Sequence, residues 1–115
     1  MQYLSPMPTA LLLTLTTLPD RECALRLAET LVDQGLAACV NILPAVTSVY
    51  QWQGKRESAE EVLMLIKTTK HRYSAMQAAI REQHPYELPE IIAVPVEQGL
   101  AGYLEWVEQC TKTTY

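Results

Sequence analysis

The chain has few residues of the types that enzymes use as nucleophiles and general bases. It contains two His and three Cys among 115 residues, and neither a Gly-x-Ser-x-Gly nor a His-Glu-x-x-His motif occurs. The carboxylates Glu57, Glu60 and Glu61 are clustered, but they fall on a hairpin strand, where acidic side chains normally face solvent. No pair of residues is identified as nucleophile and base. The sequence therefore predicts a protein that is not an enzyme.

The cysteines are too widely spaced to form a common metal-binding or redox motif. Cys23, Cys39 and Cys110 contain no Cys-x-x-Cys pair, and all three lie in segments of apolar pattern. Small buried thiols without disulfides are the expected state. Free thiols fit a reducing compartment, so we predict a cytoplasmic protein.

Two other positions are candidates for binding a small ligand. Lys67 begins a basic segment that leads into a predicted helix, where free backbone N–H groups can bind an anion. The alternative for this segment is a capped, solvated helix start. Tyr86, held between Pro85 and Pro89, is placed to line a cleft between subunits. We therefore keep Tyr86 and Lys67 as residues of a candidate ligand cleft.

The charge pattern argues against nucleic acid and anionic membrane as partners. The net charge is −4, and the nine basic residues are scattered apart from one modest cluster at 67–72, whereas nucleic-acid binding needs clustered Lys and Arg. The apolar run at 10–18 is interrupted by threonines and is too short to span a bilayer. Residues 1–8 lack the basic start of an export signal.

Hydrophobic periodicity predicts the order β-α-β-β-α-β, followed by a C-terminal helix. The predicted strands are 10–17, 37–53, 60–68 and 91–96, and the predicted helices are 17–35, 70–83 and 100–109. This order is the ferredoxin-like pattern of an α+β protein, with a long hairpin between strands two and three. We expect a single domain over residues 1–115, with 1–8 as a flexible N-terminal arm.

The prolines agree with this topology. A ferredoxin-like sheet has the spatial order 4-1-3-2, which makes strands two and four its edges. Pro44 lies in the second predicted strand and Pro95 in the fourth. Proline cannot donate a ladder hydrogen bond, and it is tolerated at sheet edges and bulges.

The second strand is too long for a domain of this size. It would reach about 50 Å, whereas a globule of this length is roughly 35 Å across. Tyr50 and Trp52 near its end share one parity with Val40 and Ile42. A bare two-stranded ribbon is marginal in water, so either other copies cover it or a bend at Pro44 folds it back. We favour a homo-oligomer in which Tyr50 and Trp52 anchor the interface.

Several linked segments make the chain resemble the CutA (divalent-cation tolerance) family. They are 35–44 (GLAACVNILP), 48–55 (SVYQWQGK), 67–69 (KTT) and 84–90 (HPYELPE), and the resemblance runs over about 11–106. It implies a ferredoxin-like fold similar to the PII signalling proteins, and a homotrimer whose long hairpins reach across neighbours. It also implies a link to copper tolerance in bacteria. No reaction is implied, and animal relatives are associated with anchoring another protein, so an unidentified protein partner is possible.

The resemblance also implies where a copper site would lie. The family's ligands correspond by position to Thr16, Gln83, His84 and Glu61. Because Thr16 and Gln83 stand where a Cys and a His are expected, a thiolate and one imidazole are missing. We predict that His84 and Glu61 bind copper or another divalent cation weakly. The alternative for His84 is a helix C-terminal residue that interacts with free carbonyl groups.

Two functions remain after these observations. The first is a non-catalytic homotrimer linked to divalent-metal, especially copper, tolerance or homeostasis. The alternative is a PII-like sensor that binds an anionic metabolite in the clefts between subunits. An enzyme of the ferredoxin-like kind would need a convergent set of Arg, Asn or His residues, which the sequence does not offer.

Overall fold

The computed structural model describes residues 10–112. Its elements are β1 (Leu11–Leu18), α1 (Arg21–Asp33), β2 (Cys39–Trp52), β3 (Lys55–Thr69), a 3-10 helix (Lys70–Arg72), α2 (Tyr73–Gln83), β4 (Ile92–Val96) and α3 (Ala101–Cys110). The N-terminal arm predicted at 1–8 lies outside the described residues. Within residues 10–112, no helix has the length and hydrophobicity needed to cross a membrane.

The four strands form one sheet in the order β2-β3-β1-β4, and every pairing is antiparallel. The α+β, ferredoxin-like fold is thus confirmed, together with the extra C-terminal helix. Pro44 and Pro95 lie on the two edge strands, where a missing N–H leaves no ladder bond unmade.

Helices α1 and α2 cover one face of the sheet, here called the helix face. The core between them consists of fully buried apolar side chains, among them Leu27, Leu31, Met64, Ile66, Met76 and Ile80. Helix α1 begins after Asp20, whose carboxylate accepts a hydrogen bond of 2.8 Å from the backbone N–H of Cys23. The helix begins later than the predicted position 17, because β1 continues to Leu18 and Asp20 takes the N-cap position.

The start of the second helix also differs from the prediction. The α-helix was predicted from residue 70, but a 3-10 turn occupies Lys70–Arg72 and α2 begins at Tyr73, and Thr69 makes no side-chain cap hydrogen bond. The Thr68 hydroxyl donates to the carbonyl of Leu36 at 2.6 Å. The Thr69 hydroxyl lies 3.2 Å from that of Thr111. Both side chains are fully buried, and they join the end of β3 to the segment before β2 and to the end of α3.

Helix α3 covers only one end of the opposite face, here called the open face. Val107 and Leu104 pack there against Leu11, Ala38 and Val96. Beyond α3, within the described chain, no helix covers the sheet residues of this face. The fold therefore leaves much of one sheet surface without an intramolecular partner.

A bulge in β2 reverses the faces on which the side chains of the long hairpin lie. Leu43 pairs with Leu63 and Val46 pairs with Glu61, so two residues of β2 oppose one of β3. Ala45 has φ 61° at this point. Val40 and Ile42 therefore face the helices, and the residues of like parity beyond the bulge face the open side. Our prediction that Val40 and Ile42 share one side of the strand with Tyr50 and Trp52 is therefore wrong.

Beyond the bulge the hairpin continues as a two-stranded ribbon, residues 45–60. Strand β3 begins at Lys55, earlier than predicted, because it pairs with β2 up to the turn at Gln53-Gly54. Both turn residues have positive φ, as a type I′ turn requires. The molecule measures 62 × 25 × 22 Å, so the ribbon extends away from the body and does not fold back at Pro44.

Candidate functional site

His84 sits where the end of α2 meets the end of β1. It is the C-cap of α2 and only 8% exposed. Its Nε2 lies 2.7 Å from the carbonyl oxygen of Thr17, and its Nδ1 accepts a hydrogen bond of 3.2 Å from the backbone N–H of Tyr86. This arrangement fits a neutral ring with its proton on Nε2. Both ring nitrogens are therefore engaged with backbone groups.

Tyr86 joins His84 to Glu61. The two rings have centroids 4.8 Å apart, and the Tyr86 hydroxyl donates to Glu61 Oε2 at 2.8 Å. Glu61 is 8% exposed. Burial is the largest cause that raises the pKa of the Tyr86 phenol, and the hydrogen bond to Glu61 is the next. The structure thus brings together two predicted metal residues and one predicted cleft residue.

Thr16 and Gln83, the other positions of the predicted copper site, are arranged differently. Thr16 is fully buried and pairs with Met64, so it faces the helices, whereas Glu61 has the opposite parity on β3 and faces the open side. Gln83 is an exposed residue at the end of α2. Among residues 10–112, no group of three or more His, Cys, Asp or Glu side chains could hold a metal ion.

Lys67 lies on the open face near α3. Its ammonium contacts the side-chain oxygen of Asn41 and lies 3.9 Å from the sulfur of Cys39, its cross-strand neighbour. Lys67 lies six positions along β3 from Glu61, the partner of Tyr86, which corresponds to about 20 Å. Lys67 and Tyr86 therefore do not share a cleft within one chain.

The open face between these two regions is apolar. Its side chains come from all four strands and are half-buried or exposed: Leu13, Leu15, Leu43, Leu63, Leu65, Ile92 and Val94. Sequence reasoning did not single out this surface. The signal was present, because β1 and β3 are apolar at both parities, as expected for strands covered on both faces.

The ribbon continues this surface. Tyr50 and Trp52 pair with Glu57 and Lys55, which share the parity of Glu61. The two aromatic residues therefore project from the side of the ribbon that is continuous with the open face. They remain 44% and 39% exposed, and no other part of the described chain covers them.

Known proteins resemble this chain over most of its length. Residues 12–110 match the family described as CutA1 divalent ion tolerance protein. The divalent-cation tolerance protein CutA of Thermus thermophilus is 43% identical over 97 residues, which cover 84% of this chain and 94% of that protein. Protein CutA of Mus musculus is 47% identical over 97 residues. The chain spans only 55% of that longer relative.

A solved structure extends the similarity to the fold. The crystal structure of CutA1 from Oryza sativa superimposes with a TM-score of 0.89 at 36% identity, over 93% of this chain and 98% of that one. The order of elements, the sheet and the long hairpin described above thus have a counterpart at substantial sequence identity. The chain belongs to the CutA1 divalent ion tolerance protein family.

Proposed function

We propose that this protein acts as a non-catalytic homotrimer in the tolerance or homeostasis of divalent metal ions, copper among them. The main observation that supports the proposed assembly is the apolar open face. Ile92 and Val94 are 52% and 47% exposed in the single chain, and they lie on the same face of the sheet as leucines of the other three strands. A contiguous apolar patch of this kind normally marks an interaction surface.

The ribbon supports the same proposal independently. Residues 45–60 project from the body, and the radius of gyration of 16.0 Å exceeds the value of about 13 Å expected for a compact chain of this length. An isolated two-stranded hairpin is marginal in water. Neighbouring copies would cover the aromatic side of each ribbon, since that side continues the open face.

The role in metal tolerance comes from the family, whose members carry that description. A cytoplasmic location and an unidentified protein partner belong to the same proposal. The PII-like alternative, a sensor of an anionic metabolite, is not favoured. Its candidate residue Lys67 lies about 20 Å along β3 from Glu61, to which the Tyr86 hydroxyl is bonded, so only contact between two copies would bring Lys67 and Tyr86 together.

A matched pair of valines tests the assembly and its link to tolerance. Val94 lies on the open face and Val32 lies on α1, and they are 47% and 44% exposed. A buried, unpaired carboxylate is strongly unfavourable at an interface. We therefore expect Val94→Glu to break the homotrimer and Val32→Glu to preserve it, as measured by light scattering.

The functional readout is growth of a bacterial strain that lacks its own copy of the protein, over a range of copper concentrations. The wild type and Val32→Glu are expected to restore tolerance, and Val94→Glu is expected to fail. Full tolerance with a monomeric Val94→Glu would contradict the role of assembly. If the deletion strain tolerates copper equally well with and without the wild-type protein, the proposed role in tolerance is contradicted.

A further inference from the structure

We propose that His84, Tyr86 and Glu61 form a closed latch that fixes the α2–β4 loop to the sheet, and that they do not form a divalent-cation site. This departs from the weak metal site expected from the family resemblance. It is independent of the homotrimer, because every contact that supports it lies within one chain.

The latch closes the end of the sheet at a position that β4 does not reach. Strand β4 starts at Ile92, which pairs with Leu15, so no β4 residue pairs with Thr17. The imidazole of His84 takes that place and donates to the Thr17 carbonyl. The backbone N–H of His84 also donates to the carbonyl of Ile80 at 2.8 Å. One residue thereby ends α2 and holds it to β1.

Tyr86 holds the loop at a second point. Its backbone N–H donates to His84 and its hydroxyl donates to Glu61 on β3. The loop is therefore tied to β1 and β3, which are adjacent in the sheet. Pro85 lies between these contacts and Pro89 follows Tyr86 by three residues, so both prolines restrict the backbone of the loop.

These same contacts compete with a metal ion. A cation bound to His84 Nε2 would take the place of the proton that is shared with Thr17, and one bound to Nδ1 would displace the N–H of Tyr86. Either change leaves a backbone group of this buried site unpaired, which weakens binding by about tenfold or more. The Oε2 atom of Glu61 already accepts the Tyr86 hydroxyl. Thr16, another position of the predicted copper site, lies on the face of the sheet opposite to Glu61.

The second histidine of the chain is a natural control. His71 lies on the 3-10 helix and is exposed, so its imidazole can bind a metal without breaking a contact within the described part of the chain. We expect copper(II) titration by calorimetry to give the same affinity, within twofold, for wild type and His84→Gln. We expect His84→Gln to lower the melting temperature by about 5 °C or more, and His71→Gln to leave it unchanged.

The proposal is overturned if His84→Gln weakens copper binding at least tenfold while it keeps the circular dichroism spectrum and mass of the wild type. A second measurement needs no variant, and it decides the question if His84→Gln does not fold. Copper(II) below one equivalent broadens the NMR signals of nuclei near it. We expect the His71 ring to broaden first, with the His84 ring and the Tyr86 amide still sharp. Early broadening of His84 and Tyr86 would show a cation bound at the latch.

Discussion

Replacing Thr16 by Val is expected to stabilise the protein. Thr16 is fully buried on the helix face, and its hydroxyl has no hydrogen-bond partner among the described residues. A buried polar group without a partner is destabilising, because its bonds to water are lost on folding and are not replaced. Valine has nearly the same shape and carries a methyl group where threonine carries the hydroxyl.

The magnitude follows from two contributions. An unsatisfied buried donor or acceptor costs about 1–3 kcal/mol, and the added methyl group contributes about 0.8 kcal/mol of burial. Local adjustment of the strand reduces the sum. We therefore expect Thr16→Val to raise the free energy of unfolding by about 1–2 kcal/mol per subunit.

The control is the same substitution at Thr68. That side chain is also fully buried, but its hydroxyl donates to the Leu36 carbonyl at 2.6 Å. Thr68→Val leaves this carbonyl unpaired, so it should lower the free energy of unfolding by about 1–3 kcal/mol. Urea denaturation at one fixed subunit concentration measures both variants. A loss of stability in Thr16→Val as large as that in Thr68→Val would show that the unpaired Thr16 hydroxyl does not destabilise the fold.

Three further substitutions have definite expected outcomes. Burial, as the larger cause, and the hydrogen bond to Glu61 raise the pKa of Tyr86 in the folded state above its ordinary value of 10.0. The resulting contribution to the free energy of unfolding is fully present below pH 10 and is lost as the pH rises through the folded-state pKa. Tyr86→Phe should therefore be less sensitive to alkali than the wild type in denaturation curves taken on both sides of pH 10. Gln53→Asn should raise the melting temperature, since Asn tolerates the φ of 52° at this turn position better than Gln; an unchanged or lower melting temperature would speak against the turn geometry. Trp52→Ala should weaken assembly by about 2 kcal/mol or more in a light-scattering dilution series, whereas Val49→Ala, on the other side of the ribbon, should not.

The sequence predicts the order of elements and the order of strands. Apolar periodicity distinguishes the strands from the helices because each element buries one side. Pro44 and Pro95 then identify the edge strands, since proline lacks the N–H that a central strand needs. These signals are local, and the fold preserves them.

The reversal of faces in β2 was not predictable in the same way. It depends on one extra residue in the ladder and on the positive φ of Ala45. Pro44 is compatible with a bulge, but it does not fix where the register shifts. Parity counted from Val40 to Trp52 therefore assigned the aromatic residues to the wrong side.

The candidate site was predictable only in part. The sequence placed His84 at the end of a helix, where an interaction with carbonyl groups is expected. The carbonyl that it contacts belongs to Thr17, 67 positions earlier, and Tyr86 reaches Glu61, 25 positions earlier. Contacts between residues so far apart depend on the packing of α2 against the sheet, and no spacing in the sequence encodes them.

We propose that two further copies of the chain cover the open face and the ribbon. The most direct test is the mass of the wild-type protein by sedimentation equilibrium over a hundredfold range of concentration. We predict a single species of three times the 13.0 kDa subunit mass, unchanged by reductant and by chelator. A stable species of 13.0 kDa at micromolar concentration would contradict this assembly.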